Sequence, residues 1–167
     1  MLENYLPIPI LMVMSVLQMS VVSRIQMNNG SADLILLSVA VWGILDKKRS
    51  VFFWALFGGV FISFISAMPI FTPIIPYLFT ALITQFFQER IWQAPIISII
   101  VAVFFGTLFQ HTFTFFVLTL NGLELGWLTA VQAVTLPSLF LNYLLLLPVF
   151  VLINDIHKWI TKEEIYD

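Results

Sequence analysis

Few side chains in this sequence could do chemistry, and most of those lie inside apolar runs. Asp33 stands in Gly30-Ser31-Ala32-Asp33-Leu34, at the head of an apolar segment. Two readings are open for it. In one, Ser31 caps a helix and Asp33 sits in the first turn, where the helix dipole favours negative charge. In the other, Asp33 is a buried contact for a partner or a coupling ion. A carboxylate at mid-bilayer costs about 3 kcal/mol on insertion scales, so that position would need a reason. Gln110 and His111 form a second polar point. At 100° per residue, Gly106, Thr107, Gln110, His111 and Thr114 share an arc of about 140°, with Phe105, Phe109, Phe113 and Phe116 roughly opposite and expected to meet lipid. His111 suits either proton or ligand chemistry or an interhelical hydrogen bond, which is the plainer role, worth on the order of 1 kcal/mol. A third point is Thr135, Ser138 and Asn142, on one face by spacing. That face suits core packing, with a partner groove as the alternative. Gly58-Gly59 permits close helix approach. Asp46, beside Lys47 and Lys48, reads as ordinary interfacial charge, and His157 as a tail residue outside any site.

These residues do not add up to a catalytic set. The sequence has no HExxH pattern, P-loop, GxSxG elbow or paired intramembrane carboxylates. With no cysteine it has no thiol nucleophile, disulfide or cysteine metal site. No enzymatic activity, cofactor or metal is expected.

The elements that carry these residues follow from composition. Of 167 residues, 60% are apolar and 10% charged, with 17 phenylalanines and a mean hydropathy of +1.02. A soluble domain averages about 45–50% apolar and about 25% charged, and so small a globule cannot hide this much apolar surface. Lipid is the expected solvent. Six spans of about 20 residues leave no room for a folded extramembrane domain. The formal net charge of −2, without a long basic stretch, speaks against nucleic acid as a partner. The opening Met-Leu-Glu-Asn is acidic where a secretory signal carries Lys or Arg, so the first apolar segment is expected to stay as an anchor.

Polar punctuation divides the chain into six predicted helices, at about 5–22, 32–45, 51–68, 74–87, 94–120 and 127–153, with a polar tail at 154–167, all in a single domain. Six spans put Lys47, Lys48, Arg49, Arg90, Lys158 and Lys162 on one side and leave Arg24 alone on the other. The positive-inside bias then places both termini in the cytoplasm. Trp92, Trp127 and Trp159 sit near span ends, where an indole rests at headgroup level. The second helix has an apolar part of about 18 Å, short of a hydrocarbon core of about 30 Å. It must be shielded by neighbours, lengthened through 28–33, or set beside thinned bilayer. The sixth, about 40 Å long, should tilt or kink, with Pro137 and Pro148 as kink sites. Pro69, Pro73 and Pro76 crowd the turn between the third and fourth helices.

Three stretches, in order, resemble the rod shape-determining protein MreD family. Ala32-Asp33-Leu34-Ile35-Leu36-Leu37 leading to Trp42-Gly43 is similar to the family's Pro-Asp-Leu-hydrophobic run and its following Gly. The stretch 59–67 resembles Gly-Leu-x-x-Asp-x-x-Ser-Gly, with Ser63 in place of the Asp and Ala67 in place of the last Gly. Leu136-Pro137-Ser138 through Asn142 to Pro148-Val149-Phe150 is similar to the closing Pro…Asn…Pro-Val-Tyr pattern.

The resemblance implies a non-enzymatic, six-span scaffold of the bacterial cytoplasmic membrane. It would bind MreC, a single-span coiled-coil protein, and so help to position wall synthases in the elongation machinery. It also implies a body similar in fold to the substrate-binding subunits of energy-coupling-factor transporters. On this reading Asp33, Trp42, Pro69, Asn142 and Pro148 are candidate partner contacts, and Gly58, Gly59, Gln110, His111 and Ser138 candidate packing residues. A different class, a small-molecule-binding subunit of such a transporter, would use the arc around Gln110 and His111. A binder needs convergent polar groups. The outer loops offer only Arg24–Asp33, a Pro-rich turn and Asn121–Gly126, which favours the scaffold.

Overall fold

The shortest helix organises the molecule. The computed structural model describes residues 7–46, 50–66, 68–90, 95–122 and 124–163. Lys47, Lys48, Arg49, Ala67 and Trp92 lie outside these. Among the described residues the chain is all-helical. α1 is Pro7–Ser20, followed by a 3-10 turn at Val22–Arg24; α2 is Leu34–Leu45, α3 Val51–Ile65, α4 Phe71–Arg90 and α5 Pro95–Leu120. α6 runs through Trp127–Ala130, a π turn at Val131–Thr135, and Leu136–Glu163. Two helices, Pro95–Leu120 and Trp127–Ile160, are long and apolar enough to cross a membrane.

α2 is apolar on every side, and a helix of that kind has to be enclosed. Every residue from Leu34 to Ile44 is buried, and α2 packs against each of the other five helices. Of the three ways to accommodate its length, shielding by neighbours is the one adopted. Around it α1 packs on α3, α3 on α4, α4 on α5, and α5 on α6. The outward faces remain apolar, with Met12, Val13, Val16, Phe64, Ile97 and Leu147 all exposed. In water, such a continuous apolar patch marks a surface made for another apolar phase.

Glycines set the closest crossings. A Cβ on Gly59 would lie 2.7 Å from Ile74 Cα, so α3 and α4 touch backbone to side-chain root. One on Gly58 would lie 2.5 Å from Ile35 Cγ2. On the α4–α5 side, Gly106 stands against Thr80.

The proline-rich stretch does not form a turn through residue 76. The turn closes at Ile70, where Thr72 N donates to Pro69 O at 2.9 Å. Pro73 and Pro76 are buried inside the first two turns of α4. Pro73 falls in the first turn, where N–H groups lack intrahelical partners, whereas Pro76 lies inside the helix and leaves the Thr72 carbonyl without its helical donor. Pro69 itself is exposed. Ser63 Oγ lies 2.6 Å from Gly59 O and 2.9 Å from Ile70 O, so it ties the end of α3 to this turn.

α6 does not end at Ile153 as its polar residues suggest. It continues helically through Glu163 because Ile153, Ile156 and Ile160 recur at helical spacing and keep an apolar stripe against the core. This carries His157 to the edge of Trp42, with ring centroids 5.3 Å apart. Trp42 is 2% exposed and stacks on Trp54 at 4.4 Å. Its Nε1 donates to Ser50 Oγ at 2.6 Å, and Ser50 donates in turn to Asp46 Oδ2. Asp46 is therefore not a solvated interfacial charge. It is 5% exposed, its Oδ2 also accepts from Ser50 N at the start of α3, and its carbonyl accepts from Gln88 Nε2 on α4. Trp42→Phe keeps the ring stack but leaves the Ser50 hydroxyl without its donor. We expect it to lower stability by about 1–2 kcal/mol, read as a drop of a few degrees in thermal unfolding.

Candidate functional site: the Asp33 junction and its cavity

At the other end of α2, a polar junction gathers one side chain or more from each of four neighbouring helices. Asp33, not Ser31, is the N-cap. Its backbone is extended at φ −121°, ψ 98°, and its Oδ1 accepts from Leu36 N at 2.9 Å. A capping carboxylate leaves its second oxygen free for tertiary contacts. Here Oδ2 accepts from Tyr77 Oη on α4 at 2.7 Å and from Gln110 Nε2 on α5 at 2.6 Å. The Asp33 N–H donates to Asn142 Oδ1 on α6 at 2.7 Å. Asn142 Nδ2 then donates to Thr107 Oγ1 on α5 at 2.8 Å. From α1, Gln18 clamps the same turn. Its Nε2 donates to Ala32 O at 2.6 Å and its Oε1 accepts from Leu34 N at 2.9 Å.

The loop before α2 is held by a defect in α6. Pro137 has no N–H, so the carbonyl of Ala133, four residues earlier, lacks its helical donor. The π turn at Val131–Thr135 precedes this point, as such turns often do where a ladder is broken. Asn29 N supplies the missing donor to Ala133 O at 3.2 Å. Ser31 N donates to Ser138 Oγ at 3.1 Å. Gly30 lies between them, and a Cβ there would stand 2.7 Å from both Pro137 Cβ and Ser138 N.

Beside the junction is a cavity of about 380 Å³, whose lining includes Ser31, Asp33, Ile62, Tyr77, Gln110 and His111. Polar groups therefore converge here, contrary to the expectation from the outer loops. Ser31 and Asp33 come from the loop before α2, while Tyr77, Gln110 and His111 come from helices that the loop sequences do not reveal. No hydrogen bond joins His111 to Asp33 or to a serine among the described residues. Nor does any group of three His, Cys, Asp or Glu side chains gather there to hold a metal ion.

The predicted residues fall into two sets. Asp33, Gln110, Ser138 and Asn142 meet at the junction, with His111 on the cavity wall. Asn142 and Ser138 are each 1% exposed and engaged internally, so neither presents a face to a partner. Trp42 is likewise enclosed, because stacking on Trp54 holds it in the core. Pro69 and Pro148 are exposed. On α5, Phe105 and Phe116 face outward, but Phe109 stacks on Phe79 of α4 at 4.0 Å and on Phe113 at 6.0 Å. Sequence reasoning passed over Tyr77 and Gln18. Gln18 carried a usable signal: a lone amide in an apolar helix needs a polar partner. Tyr77, in an apolar Pro-rich stretch, carried none. No family model, curated protein or solved structure matches the chain.

Proposed function

We propose that this chain is a non-enzymatic, six-span membrane scaffold of the MreD kind. On this reading it holds a single-span, coiled-coil MreC-like protein and through it helps to position wall synthases in the bacterial cytoplasmic membrane. Both termini face the cytoplasm, with the Asp33 junction toward the outer leaflet. What supports the reading is the convergence of two stretches that carry the family resemblance. Asp33 from the first meets Asn142 from the third, more than a hundred residues away, and Gly30 and Ser31, just ahead of the first, pack on Pro137 and Ser138 of the third. Resemblance at separate points in a sequence gains weight when those points form one structural joint. The exposed apolar faces of α1, α3, α5 and α6 further support a body enclosed by lipid.

On this reading the partner's helix lies along the apolar groove of about 620 Å³ between α5 and α6, beside exposed Pro148, where Ile100, Tyr143, Leu147 and Val151 form the walls. Co-purification from native membranes in mild detergent tests it. The wild type should bring down a coiled-coil, single-span protein. Leu147→Trp should reduce its recovery about tenfold, equivalent to about 1.4 kcal/mol of affinity, while Phe64→Trp on α3 should not. Recovery of an ATPase module with a coupling subunit instead would replace the scaffold with the second reading, a small-molecule-binding subunit of energy-coupling-factor type. One observation favours that alternative, the cavity beside Asp33.

A further inference from the structure

We propose that the cavity beside Asp33 binds a primary ammonium group. The inference deepens the second reading by naming a ligand class, and it does not depend on whether an MreC-like partner binds elsewhere.

Charge gives the first argument. Asp33 is the charged side chain on the cavity wall, and no Lys or Arg stands among the lining residues. Its carboxylate accepts three hydrogen bonds, all from uncharged donors. A half-buried carboxylate with donors but no countercharge favours a cation and disfavours an anion.

Stereochemistry gives the second. A carboxylate offers about four lone-pair directions. Leu36 N takes one on Oδ1, while Tyr77 and Gln110 take two on Oδ2. One direction on Oδ1 remains. A guanidinium seeks two parallel acceptors and is poorly matched to that single place. An ammonium is a compact donor with three N–H bonds. It can take the remaining Oδ1 direction and turn its other protons to the His111 ring nitrogen or the Ser31 hydroxyl, both on the same wall. A divalent metal would find one carboxylate where it prefers several anionic or carbonyl ligands.

The third argument is an unpaired acceptor. Gln110 Oε1 is buried with no hydrogen-bond partner, although its amide nitrogen is engaged by Asp33. Such atoms are rare in folded proteins and call for a donor. An ammonium seated on Oδ1 has further N–H donors to offer, and Gln110 stands on the same wall. The Ile62 side of the cavity is apolar and suits a short carbon arm.

The same chemistry has two sources: a free small amine, or the headgroup of phosphatidylethanolamine reaching in from the lipid. The test uses the full-length protein in detergent and follows thermal unfolding by tryptophan fluorescence. Ethanolamine hydrochloride is compared at equal ionic strength with sodium chloride, ethylene glycol and sodium glycolate. Ethanolamine should raise the midpoint saturably, by about 3 °C at ten times its dissociation constant, and the other three should not. Ile62→Trp, which fills the cavity and leaves every bond to Asp33 in place, should abolish the shift. A parallel arm extracts the protein from vesicles of equal phosphatidylethanolamine, phosphatidylcholine and phosphatidylglycerol and weighs it by native mass spectrometry. One retained phosphatidylethanolamine, lost in Ile62→Trp, assigns the lipid as the source. An ethanolamine shift without selective lipid retention assigns a free amine. Equal midpoints in ethanolamine and sodium chloride, together with unselective lipid retention, would overturn the proposal and leave the partner-recovery experiment untouched.

Discussion

Asp33→Ala is expected to destabilise the protein by on the order of 4 kcal/mol, with thermal unfolding falling by roughly 10 °C. The change deletes the acceptor for three donors on three helices: Leu36 N, Tyr77 Oη and Gln110 Nε2. Each buried donor left unsatisfied costs about 1–3 kcal/mol, and water entering the adjoining cavity offsets part of that sum. Asp33→Asn should cost much less, about 1–2 kcal/mol. Its amide oxygen can still cap α2, and its NH2 can donate to the Gln110 oxygen that now lacks a partner. The order wild type, Asn, Ala is the discriminating result. If Ala and Asn were equally mild, Asp33 would be a surface cap and the junction would not hold the helices together.

Gly30→Ala should be nearly as damaging, at about 3 kcal/mol, for a steric reason. A methyl group there would meet Pro137 Cβ and Ser138 N at 2.7 Å and Val134 O at 2.8 Å. Two of those atoms belong to the backbone of α6, so no side-chain rotation relieves the overlap. The loop would have to withdraw, stretching Asn29 N–Ala133 O and Ser31 N–Ser138 Oγ, already 3.2 and 3.1 Å long. Gly126→Ala is the control. Its nearest neighbour would be 3.6 Å away at φ −67°, and its effect should stay within about 0.5 kcal/mol. Equal unfolding midpoints for the two variants would show that the loop does not press on α6.

Much of this architecture was legible as hydropathy. Apolar run length placed all six helices, and the 12-residue run of α2 announced a helix that needed covering. Boundaries set by polar residues were less secure, because polar residues can lie on a helix whose other face is apolar. Asn154 and His157 concealed ten further residues of α6, yet Ile153, Ile156 and Ile160 carried the stripe onward. Prolines misled in the same way at α4, where Pro73 lies in the tolerant first turn and Pro76 inside the helix. The site was legible in its parts and not in its assembly. Asp33, Gln110, Ser138 and Asn142 were recognisable because polar side chains in apolar helices require partners. That Asp33 would find Asn142 across 109 positions depends on how the helices pack, and periodicity within one helix carries no information about its neighbours.

The link between Asn29 and the carbonyl freed by Pro137 has a consequence for biosynthesis. A chain emerging from the ribosome makes α1 and α2 early, but the acceptors for Asn29, Ser31 and Asp33 N–H groups all lie beyond residue 130. Until α6 enters, the head of α2 has unmatched donors and its apolar surface lacks one of the neighbours that enclose it. α6, synthesised after the other five helices, therefore closes this bundle. Nascent chains halted before Leu136 should remain exposed to proteases, whereas chains that include α6 become resistant, so that synthesis of α6 is itself the checkpoint for this fold.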